Sequence, residues 1–153
     1  MTPTLLVALV VVAHEGRYLL VEETDGRFYL PAGKVEPGED IVSGAARETA
    51  EEAGVAVDLL GILGIEHDIL HDGTRRVARL RFALVGRVAG DPRPKREADH
   101  HSRGARWVAK ADVAALPLRH PEVLAWIERC ERAEALLPCA AYRPLGLPGS
   151  RLR

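Results

Sequence analysis

The chain has 153 residues, 47% of them hydrophobic and 28% charged, a length and balance that predict one globular domain and exclude a mainly disordered state. Twenty-one Lys and Arg against 22 Asp and Glu leave a net charge of −1, so there is no broad basic field to draw in a nucleic-acid polymer or an anionic membrane surface. The longest apolar run, Leu5 to Ala13, has nine residues, against the roughly 20 that a membrane-spanning helix needs.

That run is rich in Val and Leu and predicts the first strand; no Lys or Arg precedes it and no A-x-A site follows it, as a secretory leader would require. The break His14-Glu15-Gly16 separates it from Arg17 to Val21, and the two segments read as a hairpin or adjacent strands. After Thr24-Asp25-Gly26 comes the short apolar segment Phe28 to Leu30, then a loop with Pro31, Gly33, Pro37 and Gly38. Asp40 is a good N-cap, Ile41 to Ala53 is helical in composition, and Gly54 stands where a left-handed C-terminal cap belongs.

Val55 to Ile65 returns to strand residues, Asp72-Gly73 marks a hairpin, and Arg75 to Val88 alternates as a half-buried strand does. Asp91 to Gly104 reads as a polar loop and Ala105 to Ala109 as a strand carrying Trp107. Glu122 to Leu136 predicts an amphipathic helix, with Trp126 in the core or a dimer contact. The expected organisation is one domain over residues 1–137 and a C-terminal tail over 138–153. Strands mixed with two substantial helices predict a mixed sheet with helices on both faces. Cys130 and Cys139 have no ligand spacing around them, which fits a reducing compartment and makes the cytoplasm the default location.

The chemistry concentrates between Gly33 and Val55. With Glu48 at zero on a helical wheel, Glu52 falls at about 40° and Glu51 at about −60°, so three carboxylates share a stripe roughly 100° wide. Like charges at this spacing destabilise a helix by a few tenths of a kcal/mol per pair, so the stripe calls for a counter-charge. Hard divalent cations supply one: Mg2+ binds through one or two carboxylates together with substrate phosphates. Gly44, at about −40° on the same wheel, is expected to leave room for metal and phosphate. Arg47 stands four residues before Glu51, within salt-bridge reach. Drawn independently at this composition, the spaced set Gly33, Glu39, Arg47, Glu48, Glu51, Glu52 and Gly54 would arise in roughly one sequence of this length per hundred thousand.

Gly33, five residues, Glu39, seven residues, and then Arg47-Glu48-Thr49-Ala50-Glu51-Glu52-Ala53-Gly54-Val55 resembles the signature of the Nudix hydrolases, with Thr49 where the family prefers an aliphatic residue. The resemblance implies an α/β fold, specifically an α/β/α sandwich with a mixed β-sheet between helices, and Mg2+-dependent hydrolysis of phosphate or pyrophosphate bonds, with Mn2+ as the substitute metal. It implies Glu48, Glu51 and Glu52 as metal ligands, and Glu39 and Arg47 as holders of the loop–helix geometry. Gly33 and Gly54 match the turn glycines. Glu51, Glu52 and Arg47 are the catalytic candidates, with Glu51 or Glu52 as base, and Glu97, Asp99, His100 and His101 as alternatives in the loop before Trp107. Gly33, Arg79 and Arg81 are the substrate-binding candidates; the two arginines project to one side of their strand, where either a phosphate contact or a merely charged sheet face would account for them.

Leu30 to Glu39, Leu80-Arg81-Phe82 and Arg106-Trp107-Val108 are similar to the NudJ-type phosphatase branch, although Phe28 replaces the tryptophan common there. That branch implies nucleoside di- and triphosphates or the thiamine pyrimidine pyrophosphate as substrates. The alternatives are an ADP-ribose or nucleotide-sugar pyrophosphatase and a non-catalytic nucleotide-binding module. The expected partner is a small nucleotide or pyrophosphate, with no membrane or nucleic-acid polymer; a homodimer is an expectation from the family alone.

Overall fold

The computed structural model describes residues 3–133 and 135–142. Strands β1 (Thr4–His14) and β2 (Arg17–Glu22) form the expected hairpin, paired Ala13 to Tyr18 and His14 to Arg17. Glu15 and Gly16 between them both have positive φ, 48° and 73°, which gives the turn the twist that flanking strands favour.

β3 (Phe28–Tyr29) pairs with β2, and β4 (Ala32–Lys34) pairs with β1. The sequence predicts only a loop at β4; three residues are too few to show a period, and Gly33 there reads as a turn. Helix α1 (Ile41–Ala53) has the predicted bounds: Asp40 Oδ1 accepts from Ser43 N–H at 2.8 Å, and Gly54 caps the other end at φ 71°.

β5 (Val57–Asp72) and β6 (Arg75–Val88) make a long antiparallel hairpin, and β6 also runs parallel to β1 from Ala78 to Gly86. β7 (Gly104–Ala109) pairs with β2, and the main order is β3-β2-β1-β6-β5. A four-residue helix, α2 (Lys110–Val113), follows, then α3 (Glu122–Arg132).

α3 stops short of the predicted Leu136. Pro138 disfavours helical backbone at Leu137, which instead exchanges backbone hydrogen bonds with Ile62 at 2.7 and 3.0 Å. Of the expected tail, Cys139–Ala141 form a 3-10 turn and the Tyr142 ring meets Phe82 edge-on at 5.5 Å; residues 143–153 lie outside the described residues.

The mixed sheet has a helix on each face, so the architecture is an α/β sandwich. Leu9, Val11, Leu20, Leu30 and Ala83 pack with Val123, Trp126 and Ile127 of α3. Ala8, Val10, Val12, Leu19 and Leu84 pack with Ile41, Ala45 and Ala53 of α1. β1 reads as an unbroken apolar run because both of its faces are buried. No helix among the described residues is long and apolar enough to cross a membrane, and both cysteines are free.

Candidate active site

α1 turns its small residues, Ala45, Thr49 and Ala53, toward the sheet, and the Thr49 hydroxyl donates back to Ala45 O at 2.8 Å. Packing on that side fixes which residues face away: Arg47, Glu48, Glu51 and Glu52.

Arg47 is the hub of the site. Its Nε and Nη2 donate to the two Glu39 oxygens at 2.9 Å each, and Nη2 also reaches Lys34 O at 2.9 Å. Its Nη1 donates to Glu48 Oε1 at 2.9 Å and Glu51 Oε2 at 3.0 Å. A guanidinium has five N–H donors, and these five bonds use them all. The Arg47 bonds hold the Glu39 carboxyl below its ordinary value, and Glu39, bonded back to Glu36 N–H at 3.0 Å, ties the loop to the helix.

The room expected beside Gly44 is filled. A methyl group at residue 44 would stand 3.0 Å from Glu39 Oε2 and 3.2 Å from Val35 Cγ2, so Gly44 serves the loop–helix contact and not a ligand. Gly33 is the tighter case, since a methyl there would meet the Glu48 carboxyl. Its φ is not positive; close approach, rather than a turn, calls for glycine.

Glu52 stands on the other side of the stripe. Its Oε2 accepts the Ala32 N–H at 3.0 Å. Burial pushes its carboxyl up to about 7, and the negative charges of Glu48 and Glu23 add to the effect. Arg119 acts in the opposite sense on Glu52. That guanidinium lies 3.6 Å above the Tyr29 ring and bonds Glu23 Oε1 at 2.5 Å. Sequence reading passes over Arg119 because it sits in a Pro-Leu-Arg-His connection with no periodicity or motif spacing; only its position in the fold gives it a role.

Most of the other candidates have hydrogen-bonding or stacking partners of their own. Arg79 pairs with Asp68 at 2.5 Å. Arg81 is 7% exposed and makes two bonds to Glu122, at 2.7 and 2.8 Å, with Glu66 and the Tyr29 hydroxyl as further partners. Both guanidiniums thus have carboxylate partners of their own, and neither is hydrogen-bonded to the stripe. Asp99 is tied to Lys95 Nζ at 2.9 Å and accepts from the His101 and Ser102 N–H groups; the lysine first, then those amides, hold its carboxyl well below the ordinary value. It organises its own loop. His100 and His101 stack at 3.9 Å, and Glu97 is exposed.

Among the described residues, no three His, Cys, Asp or Glu side chains converge into a ready-made metal cage. The donor set still fits Mg2+, a cation that takes a few carboxylates and completes its shell with water and substrate oxygens. Glu48 and Glu51 rest on Arg47, while Glu52 is desolvated beside negative neighbours, a local excess of negative charge that a divalent cation would offset.

A family model described as the NUDIX domain matches residues 2–127. Among curated proteins, phosphatase NudJ of Escherichia coli is 34% identical over 89% of this chain and 88% of its own. The human 8-oxo-dGDP phosphatase NUDT18 is 32% identical over 80% of this chain but only 37% of its own length, so the chain spans little more than a third of that relative. Among solved structures, a NUDIX hydrolase from Nitrosomonas europaea superposes with a TM-score of 0.78 at 29% identity, covering 94% of this chain and 97% of that one.

Proposed function

The chain belongs to the NUDIX domain family, and from that membership we propose that it is a Mg2+-dependent hydrolase, with Mn2+ as the substitute, of phosphate or pyrophosphate bonds in small nucleotides. The observation that carries this reading is the five-bond Arg47 hub, which presents Glu48 and Glu51 together while Glu52 stands desolvated beside them. Glu48, Glu51 and Glu52 would hold the cation. When bound, Mg2+ would neutralise the anhydride oxygens and lower the pKa of the attacking water. Glu51 or Glu52, the carboxylates beside the cation, would serve as the base, Glu52 being held in place by the Ala32 N–H. Arg119, paired with Glu23, sets a positive charge within electrostatic reach of Glu52, and Arg79 and Arg81, likewise paired with carboxylates, remain the other candidates for a substrate phosphate.

The names of NUDT18 and of a putative 8-oxo-dGTP diphosphatase from Mycobacterium tuberculosis, 38% identical over 60% of this chain, put oxidised purine nucleoside di- and triphosphates first among substrates. The two free cysteines favour a reducing compartment, the cytoplasm, as its location. The test is release of phosphate or pyrophosphate at alkaline pH with Mg2+. The panel holds 8-oxo-dGDP, 8-oxo-dGTP, the unmodified nucleotides, ADP-ribose and the thiamine pyrimidine pyrophosphate. Turnover should be seen and Glu52→Gln should abolish it with the fold intact. Tight nucleotide binding without product from any of these would overturn the hydrolase reading in favour of a binding module.

A further inference from the structure

A helix leaves its last four carbonyls without intrahelical partners. In α1 these belong to Ala50, Glu51, Glu52 and Ala53, and every one finds a donor. Gly54 N–H reaches Ala50 O at 2.9 Å and Lys95 N–H reaches Ala53 O at 2.8 Å. The other two donors are side chains: Lys95 Nζ bonds Glu51 O and Ser102 Oγ bonds Glu52 O, each at 2.7 Å.

The loop is built to present those two donors. Ser102 is completely buried. The Asp99 carboxylate links them, taking Lys95 Nζ at 2.9 Å and Ser102 N–H at 3.1 Å, while Asp99 N–H returns to Ser102 O at 2.9 Å. Lys95 O accepts the Ala105 N–H at 2.8 Å, which anchors the assembly to β7. A methyl group at Gly54 would stand 2.9 Å from Lys95 Cβ, so loop and helix end are in direct contact.

Terminal helical turns commonly tighten to 3-10 geometry, about 120° per residue in place of 100°. Over the four residues from Glu48 to Glu52, that change widens their angular separation from about 40° to about 120°. Glu52 would leave the stripe. Bonds that fix the Glu51 and Glu52 carbonyls therefore fix where their side chains start.

We propose that Lys95 and Ser102 are positioning residues, which hold the last turn of α1 in α geometry and so keep Glu51 and Glu52 on one face with Glu48. The inference rests on the reading of that face as a divalent-cation site. Its test is Mn2+ affinity by electron paramagnetic resonance on the full chain, with kcat and KM alongside. Ser102→Ala should weaken Mn2+ binding about tenfold and lower kcat at least as much, with the nucleotide KM within twofold; loss of a group that orients metal ligands costs about 10- to 100-fold in metal affinity or activity. Ser102→Thr keeps the hydroxyl and should recover to within about threefold. Lys95→Met keeps the stem and the backbone bond, and should weaken Mn2+ in the same direction even if Ser102→Ala does not fold. Mn2+ affinities of folded variants equal to the parent's, or losses that Ser102→Thr does not restore, overturn the inference and leave the hydrolase reading standing. Absence of Mn2+ binding by the parent removes the reading, and the inference with it.

Discussion

Gly33 lies directly against the Glu48 carboxylate: a Cβ at residue 33 would stand 2.0 Å from Glu48 Cδ and 2.2 Å from its Oε2. The clashing atoms are the far end of a flexible side chain, and residue 33 has ordinary strand backbone, so Gly33→Ala should move Glu48 and spare the fold. Activity is expected to fall about 100-fold, with a stability loss of about 1 kcal/mol. Steady-state kinetics beside thermal melting checks this; a parallel collapse of both would contradict it.

Arg47→Lys should be far from conservative. A lysine ammonium has three donors and no planar fork, so it cannot reproduce five bonds to Glu39, Glu48, Glu51 and Lys34 O. The expected result is a loss of about 2 kcal/mol and a kcat drop of about tenfold or more. Denaturant titration and kinetics on one preparation measure the two together.

Glu52 predicts how metal and pH interact. Its carboxyl rises from an ordinary 4.5 to about 7 in the folded chain, chiefly through burial. A raised folded value means stability present below pH 4.5 and lost as pH climbs through about 7, on the order of 2 kcal/mol for a partly buried group. Mg2+ bound at that carboxylate would reverse the loss. Mg2+ should therefore raise the melting temperature more at pH 8 than at pH 5, and Glu52→Gln should erase the difference.

Glu122 has the opposite sign. Burial works to raise its carboxyl, but the Arg81 bonds and the Tyr29 hydroxyl outweigh it and hold the group at about 2, below an ordinary 4.5. Its contribution is full above pH 4.5 and drains away as pH falls toward 2. Glu122→Gln should flatten the acid limb of the stability curve and lose about 2 kcal/mol at pH 7, since Arg81 stays buried with Glu66 alone as its carboxylate partner. An unchanged acid limb would show that Arg81 does not set it.

What the sequence disclosed and what it hid divide along contact distance. α1 was legible to the residue because Asp40, Gly54 and the glutamate spacing are local signals. The hairpin at Glu15-Gly16 is local too. β4 was not legible, since it exists only because β1 lies beside it. The alternation of β6 put Arg79 and Arg81 on one side but could not say what covers them; Asp68 and Glu66 come from the facing strand and Glu122 from α3. Gly44 looked like open space on a wheel because Glu39 arrives from the preceding loop. The 91–104 loop reads as solvated polar chain, and only its fold-back turns Lys95 and Ser102 toward α1.

The parallel pairing of β1 with β6 also dictates an order of events as the chain leaves the ribosome. Leu9 completes its packing only when Ala83 has been synthesised; before that, β1 can engage its short hairpin with β2, its pairing with β4 and helix α1. Sheet closure of this kind carries a high contact order and sets a slow step. Until β6 emerges, one edge of β1 stays unpaired, and substitutions that delay the β5–β6 turn would lower yield more than they lower equilibrium stability.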